Sequence, residues 1–186
     1  MAKNPRGFKM PTVMKIMGRS SSITNAFVAA IIPVVPPSEI EVREALSVLN
    51  MSPESVSCIY CGARYTEWDH LRPLVVQRKP TGFISEIANL VPSCNSCNQS
   101  KGKREWREWI NSSAPSSPRS RGIRDIPERM ARLEAYESWR QPTRIDIRAR
   151  VGDQRWEQHW QNCESVLAEM RRSQALADEL RMQLAL

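Results

Sequence analysis

Four of the five cysteines form two matched pairs, Cys58 with Cys61 in "CIYC" and Cys94 with Cys97 in "CNSC". Two residues between thiols let both sulfurs reach one ion from a tight turn, and two such turns complete a tetrahedral shell. A redox pair and unconnected core thiols are the competing readings. The match between the pairs, with Gly62 after the first and Asn95 inside the second, favours a structural Zn²⁺ on Cys58, Cys61, Cys94 and Cys97. Disulfides are the weaker reading in a chain with no secretion signal. Closure by four thiolates leaves no open coordination position, so such an ion holds structure and performs no chemistry.

The groups suited to chemistry lie between the pairs. "EWDHLRPL" carries His70, one of only two histidines, directly after Asp69. In a strand, adjacent side chains point to opposite faces, so the two cannot do the same job. Asp69 is a hard oxygen ligand suited to a divalent cation such as Mg²⁺. His70, with an ordinary pKa of about 6.5, can accept a proton near neutrality. An Asp–His dipeptide on its own is most often a surface pair; its place between two metal-spaced cysteine pairs makes this one a candidate site.

The elements that must position these residues are short. "ARYTEWDHL" and "NLVPS" read as strands separated by the loop "VVQRKPTGFISEI", and "NSCNQSKGKREWREWI" reads as helix with Gly102 as a possible break. A metal on the four thiolates ties strand, strand and helix at one end. The expected fold class is α+β, a small zinc-stapled core embedded in a mostly helical chain. Four segments follow: 1–56, basic, with helices packing on the core; 57–111, the core; 112–124, a Ser/Pro/Arg linker; and 125–186, a helical region. Residues 1–20 read as irregular. A short helix runs from "SSSITNAF" towards Pro33, and Ser38 with Glu41 makes a capping box for another with Ile40, Ala45, Leu46 and Leu49 on its apolar face. Asp125 with Glu128 caps a helix through Trp139, "RIDIRARV" alternates like a strand, and Asp153 begins a long helix. On that helix Trp156, Trp160, Cys163, Leu167 and Met170 make one stripe, docked on the protein or on a second copy in a possible homodimer. His159 beside it reads as structural, and Cys163 as a buried thiol.

A net charge of +7 and a pI near 9.5 favour anionic partners, nucleic acid first and acidic membrane surfaces second. Residues 1–38 hold five Lys/Arg and no acidic residue, and 98–124 hold seven Lys/Arg against Glu105 and Glu108. "AFVAAIIPVV" is too short to span a bilayer and is interrupted by Pro33, so it reads as a packed element of a cytoplasmic protein without membrane partners.

Taken in order, "CIYCG…EWDHLRPL…NLVPSCNSCNQSKG" resembles the HNH endonuclease family, the ββα-metal nucleases, over about residues 58–104. The resemblance implies a ββα-metal catalytic core that hydrolyses DNA phosphodiester bonds, leaving 5′-phosphate and 3′-hydroxyl ends. It implies Asp69 as a ligand of a single catalytic Mg²⁺ or Mn²⁺, His70 as the general base that activates water, and Asn89 as the residue holding the histidine in place. The last motif position falls on Asn98 as second ligand of that ion. Many relatives carry histidine there, and a neutral amide is the weaker ligand. Lys101, Lys103 and Arg104 are then expected to clamp the DNA backbone, Lys101 most of all, since it lies one turn from Asn98. Trp106 and Trp109 read as core, and Trp68 as packing beneath the cysteines. A restriction-type enzyme competes with a phage or homing-type nicking nuclease of low specificity. A non-catalytic zinc-knuckle nucleic-acid-binding module explains the cysteines and the charge equally well, but not Asp69, His70, Asn89 and Asn98 arriving together in order.

Overall fold

A computed structural model describes residues 10–184. The irregular segment expected over 1–20 lies partly outside them; within them, residues 10–15 are irregular and Ile16–Arg19 forms a 3₁₀ turn. The elements run α1 (Ser20–Ala29), α2 (Glu39–Val48), β1 (Glu67–His70), β2 (Val75–Val76), β3 (Lys79–Pro80), β4 (Leu90–Ser93), α3 (Asn95–Lys101), α4 (Trp106–Ile110), α5 (Ile126–Trp139), α6 (Ile147–Val151) and α7 (Asp153–Gln183). The result is an α+β protein, mostly helical, with two small two-stranded sheets. No described helix is long and apolar enough to cross a membrane.

The chain divides into two compact units, Val28–Gly152 and Met1–Phe27 with Asp153–Leu186. The divisions fall after Phe27 and after Gly152, whereas the sequence pointed to breaks at 56, 111 and 124. The segment 112–124, expected as a linker, is a hydrogen-bonded loop. Ser117 is buried with its hydroxyl on Ser112 O at 2.6 Å, and Ser120 Oγ donates to Ala114 O at 2.9 Å.

Within Val28–Gly152 one core joins the helices to the strands. Ala45 and Leu49 from the α2 end, Ile59 and Tyr60 between the first cysteines, Val91 on β4, Trp106, Trp109 and Ile110 on α4, and Leu133 and Tyr136 on α5 are all fully buried. Four large aromatic side chains sit in it, and Tyr60 meets Trp109 edge to face with centroids 5.1 Å apart. The capping box of α2 forms as expected: Ser38 Oγ accepts from Glu41 N, and Glu41 Oε2 accepts from Ser38 N. Ile40 departs from expectation, being 69% exposed while Ala45 and Leu46 face inward. Trp106 and Trp109 are core, and Trp68 packs on the cluster.

β1 pairs antiparallel with β4, placing Asp69 opposite Val91 and His70 opposite Leu90. The loop expected between them contains a second hairpin, β2 with β3, turning through Gln77 and Arg78 in left-handed conformation. Residues 144–151 are no strand. Asp146 Oδ1 accepts from Ala149 N at 3.0 Å and starts α6; a side-chain cap outweighs a short alternating pattern. Asp125 also departs from its expected role. It precedes α5 but gives its carboxylate to Arg129 rather than to a free backbone N–H.

In the second unit, α7 carries Cys163 and Leu167 only 2% exposed in the single chain, so nothing in the structure calls for the homodimer expected through this helix. Met17 N donates to Gln174 Oε1 at 3.3 Å, and His159 Nε2 bonds Phe27 O at 3.0 Å, a structural role for the second histidine.

Candidate active site and metal centre

The sulfurs of Cys58, Cys61, Cys94 and Cys97 all lie within 4.8 Å of one another. A tetrahedral zinc with Zn–S of roughly 2.3 Å separates its thiolates by about 3.8 Å, and Cys61 Sγ lies 3.7 Å from Cys94 Sγ. The donor set therefore fits a structural Zn²⁺. The hydrogen bond between Cys58 and Cys61 raises the Cys58 thiol to about 11 and draws Cys61 well below the ordinary thiol range. Local turns bring the sulfurs together. Gly62 N donates to Cys58 O with Gly62 at φ +76°, and Cys94 sits at the N-terminal cap of α3. A Cβ at Gly62 would lie 2.7 Å from Arg129 Nη2, so a side chain there would strain the backbone and displace the guanidinium. Arg129, buried on α5, donates from Nη1 to Ile59 O at 3.0 Å and to Cys58 O at 3.3 Å, with Asp125 gripping its other edge.

β1 separates Asp69 and His70 as the alternation demands. Asp69 turns inward and is 4% exposed. Its Oδ2 accepts from Tyr60 Oη at 2.7 Å and lies 3.0 Å from Lys101 Nζ, which also reaches Oδ1 at 3.3 Å and His70 O at 2.7 Å. Burial holds the Asp69 carboxyl above its usual range, against the opposing pull of the Lys101 charge and the Tyr60 hydroxyl. Asp69 does not fit the role of an open ligand for a divalent cation, because both oxygens are engaged and an ammonium occupies the space beside them. Among the described residues, the four cysteines are the one group of three or more His, Cys, Asp or Glu side chains close enough to hold an ion. Asn98 lies half-buried on α3, one turn before Lys101.

Lys101 overturns the surface role expected of it. Its side chain is fully buried in the pair with Asp69 and cannot touch DNA from there. Lys103 and Arg104 are exposed, the latter also donating to Ser100 O.

His70 faces the other way and is half-buried. Burial, helped by the Lys101 charge, lowers its pKa to about 4, so the imidazole is neutral at physiological pH. Its Nε2 lies 2.9 Å from Ser85 Oγ. Ser85 is itself fixed by the segment before α2, donating its N–H to Pro33 O at 3.0 Å and accepting from Val35 N at 2.8 Å. No local signal in the sequence marked Ser85.

Asn89 does not bond the imidazole. Fully buried at the end of a 3₁₀ turn (Ile87–Asn89), its Oδ1 accepts from Arg72 N at 2.7 Å, while Nδ2 donates to Arg72 O at 3.1 Å and Ile84 O at 3.2 Å. Its main-chain oxygen accepts from Leu71 N at 2.8 Å. It thus holds the backbone on both sides of the hairpin loop, and the histidine only through that backbone. Replacing this fully buried side chain with alanine abandons three hydrogen bonds and is expected to lower stability by about 2–4 kcal/mol in urea unfolding. Asn89→Asp should be no milder, since a carboxylate keeps the acceptor, loses both donors and buries a charge.

Arg72 extends the frame to α5. Its guanidinium pairs with Glu105 and with the buried Glu137, each at 2.5 Å, and Glu137 also takes Arg107 at 2.5 Å and Trp106 Nε1 at 3.3 Å. Arg107 is thus paired rather than free. The network ties α4 and α5 to the loop that follows His70.

The HNH endonuclease family model matches residues 58–104. This segment is an HNH domain. It covers a quarter of the chain and holds all four clustered cysteines, β1, β4 and α3. No curated protein and no solved structure matches the chain.

Proposed function

We propose that the HNH domain hydrolyses DNA phosphodiester bonds, with His70 as the general base. The observation that carries the reading is the placement of the imidazole, half-buried and anchored at Nε2 by Ser85 Oγ, where burial lowers its pKa and favours the neutral ring. That anchor leaves Nδ1 to take a proton from water, and the Lys101 grip on His70 O steadies the main chain beneath the ring. Exposed Lys103 and Arg104 draw in the phosphate backbone, with an affinity that falls steeply as salt rises. Lys101 supports this site from inside as the partner of Asp69. The family implies a catalytic Mg²⁺ or Mn²⁺ in addition.

A second reading, a zinc-knuckle module that binds nucleic acid without cutting it, is favoured by the closed Asp69–Tyr60–Lys101 network. Incubating supercoiled plasmid with the purified full chain, with Mg²⁺, Mn²⁺ or chelator, separates the two. Nicked or linear product carrying ligatable 5′-phosphate ends supports hydrolysis. Retarded but intact plasmid under every metal leaves the binding module standing. Mapped ends then distinguish a restriction-type enzyme, which gives one recurring site, from a low-specificity nuclease, which gives scattered ends.

A further inference from the structure

The loop and helix that follow the family-matched segment reach back to both cysteine pairs, one at a sulfur and the other at the backbone. Arg121 Nη1 lies 3.6 Å from Cys97 Sγ, and the loop that carries it is built rather than slack. Arg121 N donates to Ser117 O at 3.1 Å, Gly122 N donates to Arg119 O at 3.1 Å, and the chain then turns through Gly122 at φ +68°. Three residues beyond, Asp125 orients Arg129 onto the carbonyls of Cys58 and Ile59. One arginine thus addresses the second cysteine pair at a sulfur, and the other addresses the first pair through its backbone.

We infer that the metal site extends beyond the HNH domain: Arg121 is an outer-shell donor to the Cys97 thiolate, and Arg129 is the clamp that shapes the Cys58–Cys61 turn. The electrostatic reason is direct. A dication held by four thiolates carries a net double negative charge, and a partly buried anion of that kind is stabilised by a charged N–H donor at one sulfur. Such outer partners change metal affinity by about 10–100-fold. Arg121 is a positioning and charge-balancing residue, not a ligand. The inference holds whether or not the protein cuts DNA.

The test uses the full chain loaded with zinc, and measures the rate of zinc transfer to a chromophoric chelator. Arg121→Ala is expected to release zinc at least tenfold faster, with Arg121→Lys between it and the parent because the charge stays and the planar fork is lost. Loaded instead with Co²⁺, Arg121→Ala should shift the thiolate-to-cobalt charge-transfer band, which reports electron density on the sulfurs. Arg119→Ala is the control, since Arg119 braces the same loop through Asn111 O at 3.1 Å without touching a sulfur. Release from Arg121→Ala within twofold of the parent, or matched by Arg119→Ala, overturns the inference. An unmoved charge-transfer band does the same.

Discussion

Replacing His70 with alanine is expected to slow plasmid nicking by about 10²–10⁴-fold, the usual contribution of a positioned general base, while leaving DNA retardation in a gel unchanged. The asymmetry follows from where the side chain sits. His70 points away from the core and from the Asp69–Lys101 pair, so its loss removes a proton acceptor and one bond to Ser85 but leaves the main-chain grip of Asn89 and Lys101 in place. The pH profile carries a second expectation. Because the folded-state pKa lies near 4 rather than 6.5, the imidazole stays unprotonated across the range from pH 8 to pH 6, and the base does not switch off there. The same shift enters stability with a definite sign. The unfolded chain takes up a proton at His70 as pH falls below about 6.5, whereas the folded chain does not until about 4. Stability from this group is therefore complete above 6.5 and lost as pH falls through that window. Comparing urea midpoints of the parent and His70→Ala at pH 7.5 and pH 5.5 isolates the contribution; a gap that does not change between the two removes the premise of a buried neutral imidazole. Loss of DNA retardation in His70→Ala, with folding intact, would assign the residue to binding instead.

What the sequence disclosed about this site was mostly short-range. Cysteine spacing, the Asp–His alternation on one strand and the Ser38–Glu41 box are set by neighbours a few residues apart, and each is visible in the structure. Features that depend on distant partners were not legible. Ser85 acquires its place beside His70 by pairing with the 33–35 segment, which no local pattern announces. Glu137 is one acidic residue among several on α5 until Arg72, Trp106 and Arg107 converge on it. The β2–β3 hairpin carries no turn signal, because its turn places Gln77 and Arg78, not glycine or asparagine, at positive φ. The burial of Lys101 is hidden from the sequence for a related reason. Within "NQSKGK" a lysine one turn from a motif residue suggests a solvent-facing cation, and periodicity alone cannot tell that the carboxylate of Asp69 lies beneath it.

That buried pair supports the strongest stability prediction. Lys101 Nζ is enclosed with two acceptors, the Asp69 carboxylate and His70 O, and its loss leaves a carboxylate in the core with the Tyr60 hydroxyl still donating to it. Removing one partner of a buried ion pair typically destabilises by about 3–5 kcal/mol, because the other charge stays uncompensated. Lys101→Met keeps the aliphatic stem and removes the charge, so its cost in urea unfolding should fall in that range. Asp69→Asn paired with Lys101→Met should recover a large part of the loss, since no lone charge remains. Burial already holds Asp69 above its ordinary pKa with the ammonium present, which means that the attraction does not fully offset desolvation even in the parent. The double variant should therefore lie closer to the parent than Lys101→Met does. The ordering matters more than either magnitude. If the two changes simply add, Lys101 and Asp69 are not energetically coupled, the ammonium is not what holds the carboxylate inward, and Asp69 regains its freedom to meet a divalent cation.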